Sequence, residues 1–185
     1  MPESKAVAPS QLKNKEFFRD QTLLSQFEIA MVSTRMAQEF PKGNLDTKHY
    51  LKIHKHLFQD VYFFAGKIRK IRLSKGRNIF CYPEYILQEL RNLFVMLEDR
   101  EYISSLTRLE FIELLAKFLS QLNAIHPFRE GNGRTQLAFL AMLCADCRKP
   151  ISLTKIRPAR FLSAMIESFS FNLEPLKSEL ALLFV

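Results

Sequence analysis

From Thr107 to Leu122 the apolar residues Phe111, Leu114, Leu115, Phe118, Leu119 and Leu122 return at intervals of three and four, which places them on one face of an α-helix. Thr107 with Glu110 three residues later is a capping-box start for that helix. A helix with so broad an apolar face must be covered by others, so this run commits the chain to a helical bundle built around it. The cover is present in the sequence. Leu23, Phe27, Ala30, Met31 and Thr34 form one periodic run, ended by Pro41, Gly43 and Asn44. Tyr50, Ile53, Leu57 and Phe58 form a second, behind an N-cap at Asp46. Pro83 opens a third, with Ile86, Leu87, Leu90, Leu93, Phe94 and Leu97 on one side. A further helix is expected from Gly131 to Cys147, stopped by Pro150, and two more over about 158–169 and 175–184.

One stretch breaks the helical pattern. Ile68, Ile71 and Leu73 lead to Ser74, Lys75, Gly76, Arg77 and Asn78, and Ile79, Phe80, Cys81 and Tyr82 follow. This reads as two short strands joined by a glycine-containing turn. A lone hairpin is not a stable sheet, so it is expected to project over something else. Lys67, Arg69, Lys70, Arg72, Lys75 and Arg77 all crowd into it. The fold class expected is therefore all-α with one projecting β-hairpin. Residues 1–19 are read as a flexible lead-in and residues 20–185 as one domain, with no internal repeat or dividing linker.

The chain carries 27 Lys and Arg against 19 Asp and Glu, a formal charge of +8, which raises nucleic acid as a partner. The hairpin takes so much of that charge that the rest of the surface has no basic stripe, and the nucleic-acid reading is set aside. No apolar stretch reaches the roughly 20 residues of a bilayer span, and the N-terminus lacks a signal-peptide core. Cys81, Cys144 and Cys147 are too few for a disulfide framework. Cys144 and Cys147, though spaced as a C-x-x-C pair, sit in a helical run and read as ordinary thiols. His49, His54 and His56 on the second helix have no carboxylate or cysteine at a metal-ligand spacing.

The chemistry concentrates in His126-Pro127-Phe128-Arg129-Glu130-Gly131-Asn132-Gly133-Arg134, at the junction of two helices. Two of the five glycines of the chain flank Asn132 here. Glycine and asparagine tolerate left-handed backbone, so successive N–H groups can converge at a helix N-terminus, a setting suited to a phosphate. Arg134 in the first turn offers a guanidinium to the same anion. Glu130 beside a phosphate makes sense with Mg²⁺ between them, because Mg²⁺ is commonly held by one carboxylate plus phosphate oxygens. His126 stands at the corner as a general base for a hydroxyl attacking phosphorus. Phe128 is expected to turn inward and anchor the loop.

This segment resembles the signature of the Fic family, His-x-Phe-x-(Asp/Glu)-Gly-Asn-Gly-Arg-x-x-Arg, unbroken through its first Arg. The resemblance extends upstream through Ile53 to Tyr62 and Ala65 to Arg69, to the hairpin at Ser74-Lys75-Gly76, and downstream to Asn172 to Leu176. It is similar to the Fic modules of bacterial toxins and type IV secretion effectors. The resemblance implies a Fic-type helical bundle with a hairpin flap. It implies transfer of AMP from ATP to a Ser, Thr or Tyr hydroxyl of a target protein, with release of pyrophosphate. It assigns His126 as base and Glu130 as the Mg²⁺ ligand. Gly131, Asn132, Gly133 and Arg134, with Ser74, Lys75 and Gly76, are assigned to nucleotide and phosphate, and Leu73, Arg77, Asn78, Ile79 and Phe80 to docking the target by strand addition. It also implies residence in a bacterial cytoplasm or, after translocation, in a host cell, and a small antitoxin-type inhibitor in trans as a further partner.

The chain departs from the signature at its last position, where Leu137 replaces Arg. Residues 134 and 137 share a helix face. The loss of one charge-assisted phosphate contact costs about 1.5–3 kcal/mol. An altered nucleotide or phosphate donor, or a catalytically quiet partner-binding module, are therefore the alternatives. The inhibitory pattern (Ser/Thr)-x-x-x-Glu-(Gly/Asn) is not intact. Ser163 to Glu167 is followed by Ser168, and Ser170 to Glu174 by Pro175.

Overall fold

The computed structural model describes residues 12–76 and 78–185. The chain is a bundle of α-helices: α1 (Gln21–Met36), α2 (Thr47–Phe58), α3 (Ile86–Val95), α4 (Arg100–Ser105), α5 (Arg108–Ile125), α6 (Asn132–Asp146), α7 (Pro158–Glu167) and α8 (Glu174–Leu183). Short 3₁₀ turns at Leu153–Lys155 and Ser168–Ser170 flank α7. Between α2 and α3 lies a hairpin, β1 (Ser74–Lys75) and β2 (Asn78–Ile79), antiparallel with Ser74 opposite Ile79 and Lys75 opposite Asn78.

α5 is the central helix. Its capping box is closed in both directions, Thr107 accepting from the Glu110 N–H and the Glu110 carboxylate accepting from the Thr107 N–H. It packs against α3, α6 and α8, while α2 covers α6 and α1 covers α2. Tyr50, Phe94, Phe118, Phe128 and Phe139 meet in edge-on, tilted and stacked contacts at the middle of the bundle. Asp20 and Asp46 cap α1 and α2 through their carboxylates.

Three local expectations change. α3 begins at Ile86, because Pro83 lies in the turn before it and Tyr85 occupies the cap position without a side-chain bond. α4, six residues long behind an Asp99 cap, is too short to show a period in the sequence. Of the stretch read as a flexible lead-in, residues 12–19 pack on the domain. Leu12 and Phe18 lie against the core, Asn14 is buried and bridges to Tyr62, and the Lys15 N–H donates to the Val61 carbonyl at 2.9 Å. These residues carry no helical or alternating pattern, so their docking leaves no trace in the sequence.

Candidate active site

α5 ends at His126, which takes the left-handed conformation at the C-cap (φ 48°) and turns the chain into the loop before α6. Phe128 is fully buried, as expected of an anchor. The Asn132 side chain holds the loop on itself, accepting from the Phe128 N–H at 3.0 Å and donating to the Phe128 carbonyl at 2.9 Å. Asn132 thereby spends its side-chain oxygen and one side-chain N–H on the loop, and its backbone N–H faces the helix N-terminal end. Gly131 is the N-cap of α6 at φ 82°, and a Cβ there would lie 2.3 Å from the Phe58 ring. A Cβ on Gly133 would meet nothing within 4 Å, so space lies open over the first turn of α6.

His54 of α2 locks the same loop from below. Its Nδ1 accepts from the Gly66 N–H at 2.8 Å, so its Nε2 carries the hydrogen and donates to the Glu130 carbonyl at 3.0 Å. The ring stacks on Phe128 at 3.7 Å. Burial, the largest effect, and the nearby Arg134 charge hold His54 down at about 4, against the Glu130 hydrogen bond. His49 and His56 are likewise engaged by main chain, at the Leu45 N–H and the Pro41 and Arg35 carbonyls.

A cleft of about 960 Å³ opens above this junction. His126, Glu130, Asn132 and Gly133 line it on one side, and Leu73, Ser74, Lys75, Gly76, Asn78 and Phe80 on the hairpin side. α7 supplies an apolar wall through Phe161, Leu162, Met165 and Ile166. Burial, and then the positive charges of Arg69 and Lys75, lower His126 to about 4, while the Asn123 backbone pulls the other way. The imidazole is thus neutral at physiological pH, the form a base requires. Its Nδ1 is sealed from solvent with no hydrogen bond of good geometry, which leaves Nε2 for the cleft.

Several expected positions move. Phe80, read as a docking residue, is almost buried and stacks on the His126 ring at 3.8 Å, because an aromatic beside an apolar cleft wall is driven off water. Ile79 is the hairpin side chain that stands out, 68% exposed. Arg77 lies outside the described residues. Arg69, counted in the basic cluster, is buried and donates only to carbonyls. Arg134 does not line the cleft. Its guanidinium pairs with Glu28 of α1 at 2.6 Å, approaches Glu130 at 3.5 Å and covers the Phe58 ring. Glu28 also accepts from the Tyr62 hydroxyl. Nothing in the local sequence around Glu28 marks it, since its partners lie far along the chain. Gln136, one turn into α6, lines the cleft with its Nε2 buried and without a partner among the described residues, and nothing in its helical position marks it in the sequence. Leu137 stands beside it on the cleft wall.

A helical bundle that seats a neutral histidine, a carboxylate and an open helix N-terminus in one cleft, under a hairpin, is a scaffold for chemistry at phosphorus. The pattern of the Fic/DOC family matches residues 44–144, and the chain belongs to that family. It is 49% identical over 173 residues to a probable protein adenylyltransferase, y4lH, of Sinorhizobium fredii, covering 91% of this chain and 88% of that protein. It is 32% identical over 157 residues to the protein adenylyltransferase VbhT of Bartonella schoenbuchensis, covering 83% of this chain but 33% of VbhT. Among solved structures it superposes on the N-terminal Fic domain of a VirB-translocated Bep effector from Bartonella quintana, solved with bound ADP. The TM-score is 0.85 at 25% identity, over 96% of this chain and 92% of that one.

Proposed function

We propose that the chain is a protein adenylyltransferase that moves AMP from ATP to a Ser, Thr or Tyr hydroxyl of a target protein. The observation that carries this reading is a neutral His126 sharing one cleft with Glu130 and the open first turn of α6. The N–H groups of Asn132, Gly133 and Arg134 have no partner within the helix and point at its N-terminal end, where phosphate oxygens are stabilised. His126 Nε2 takes the proton of the target hydroxyl. The hydroxyl oxygen then bonds to the α-phosphorus, the bond from that phosphorus to the bridging oxygen breaks, and pyrophosphate leaves.

Glu130 lines the cleft beside the space over Gly133. One of its oxygens accepts from the Gly131 N–H at 2.9 Å and the other has no protein partner among the described residues. That free oxygen fits the single carboxylate Mg²⁺ needs, and the ion would neutralise charge on the phosphates. Ser74, Lys75 and Gly76 close the cleft from the flap, with the Lys75 charge toward the nucleotide. The target segment adds as a strand to the hairpin, whose strands have only each other as partners among the described residues. A small antitoxin-type protein that occupies the cleft in trans would inhibit. No described helix is long and apolar enough to cross a membrane. ATP supply sets the place of action in a bacterial cytoplasm or a recipient cell.

Incubation with labelled ATP and Mg²⁺ tests the reading. Label should appear on the protein itself or on lysate proteins and be lost in His126→Ala; persistence in that variant removes His126 as base. Leu137 on the cleft wall supports a second reading, a different nucleotide donor. Strong ATP activity in Leu137→Arg with none in the parent would favour the second reading or a quiet binding module.

A further inference from the structure

We propose that Arg69 is a positioning residue for this transfer: its guanidinium fastens both legs of the flap to the His126 corner, and so fixes the presented hydroxyl relative to the nitrogen that takes its proton. The proposal rests on the reading of the cleft as a transferase site. Arg69 is 2% exposed. Its Nε donates to the His126 carbonyl at 2.7 Å and its Nη1 to the Ile71 carbonyl at 2.6 Å. Its Nη2 donates to the Cys81 carbonyl at 2.6 Å and the Ile125 carbonyl at 3.2 Å. Four of the five N–H groups of a guanidinium are thereby engaged, all by main chain. Ile71 precedes β1 and Cys81 follows β2, so one side chain grips the rising and the falling leg of the hairpin. Ile125 and His126 carry the last carbonyls of α5, where a cation is favoured by the helix dipole.

The arrangement explains two things that packing alone does not. A buried cation with no carboxylate among its described partners is costly, and is retained where several carbonyls must be held in a fixed relation. Two strands of two residues each cannot set their own orientation, so the hairpin takes it from its base. The base is tied again to the catalytic loop by the Arg69 N–H on the Pro127 carbonyl and to the last turn of α5 by the Cys81 N–H on the Ala124 carbonyl, both at 2.9 Å. Lysine cannot replace the fork, because three N–H groups on one atom do not span carbonyls on opposite sides.

The test is Arg69→Lys, read by hydrogen exchange and by kinetics. Amide exchange at Arg69's own position, Phe80 and Cys81 should quicken at least tenfold while mid-α5 amides such as Phe118 stay unchanged. AMP transfer to lysate proteins should fall at least tenfold with the KM for ATP within twofold of the parent. Unchanged flap exchange, or a KM that rises in step with the loss of rate, overturns the proposal. Should the variant not fold, exchange in the parent under rising urea decides: Phe80, Cys81 and His126 amides joining one opening transition supports the coupling, and separate transitions refute it. If the parent transfers no AMP at all, the proposed function fails, while the exchange results still decide the role of Arg69.

Discussion

Glu28 reaches from α1 to a guanidinium in the first turn of α6, and the Tyr62 hydroxyl closes on the same carboxylate. The Glu28 side chain is 11% exposed and that of Arg134 34%, so the pair lies at the edge of the interior rather than deep inside. Breaking a fully buried pair typically costs about 3–5 kcal/mol, and screening at the Arg134 side reduces that here to about 2 kcal/mol. Glu28→Gln is therefore expected to lower Tm by about 4–8 °C in a thermal melt, at roughly 2–4 °C per kcal/mol for a chain this size. A change under 1 °C would show that the pair contributes nothing to stability. Gly131 gives a sharper case. Alanine there must adopt φ 82° and push the Phe58 ring away from a 2.3 Å approach. The cost is about 2–4 kcal/mol in urea unfolding, and the same shift distorts the anion cradle, so ATP affinity measured by calorimetry should fall with it.

At the scale of elements, the hairpin separates presentation from folding. Ile79 stands 68% exposed on β2 with its side chain in neither the core nor the cleft. Ile79→Asp should leave Tm within about 2 °C, as surface substitutions away from special features do. If the hairpin takes the target as an added strand, AMP transfer to lysate proteins should drop several-fold with the KM for ATP unchanged. Equal transfer by the variant and the parent would place target docking elsewhere. How much of this was legible in the sequence differs by element for physical reasons. The order of the long helices, the hairpin and the His126–Arg134 junction could be read because each is encoded locally, by periodicity, caps and glycine placement. The loop-facing side chain of Asn132, the stack of Phe80 on His126, and the roles of Glu28 and Arg69 could not. Each depends on a partner brought near by the packing of the bundle, and a side chain that bonds to distant carbonyls leaves no period. Arg69 stands among five other basic residues with nothing in the sequence to set it apart, yet the fold buries it.

For the whole molecule, two neutral histidines under one loop couple stability to acid. His54 and His126 both titrate near 4 in the folded chain, below the ordinary 6.5, chiefly because burial disfavours the charged ring. As pH falls below 6.5 the unfolded chain takes up these protons first. Unfolding is then favoured increasingly down to about pH 4, so the contribution of these two rings to stability is complete above pH 6.5 and is lost across that window. A shift of this size in one fully buried ring is worth about 3 kcal/mol, and His54 is such a ring. Carboxylates held low by cationic partners, Asp60 beside Arg35 and Glu113 beside Lys177 and Lys117, begin to lose their contribution only as pH falls toward their ordinary values of 3.8 and 4.5, so they add at the acid end of the window and leave its upper part to the histidines. Thermal melts should show a Tm that is flat from pH 7 to 8 and declines steadily from pH 6 to 4.5. Since His54 supports Glu130 through its carbonyl and His126 forms the corner, the acid transition should begin at the catalytic loop, seen as early loss of ATP binding. In His54→Gln the dependence of Tm on pH between 6 and 4.5 should fall by about half, whatever the absolute Tm, because one of the two titrating rings is gone. An undiminished slope in that variant would mean that the acid sensitivity arises elsewhere in the bundle.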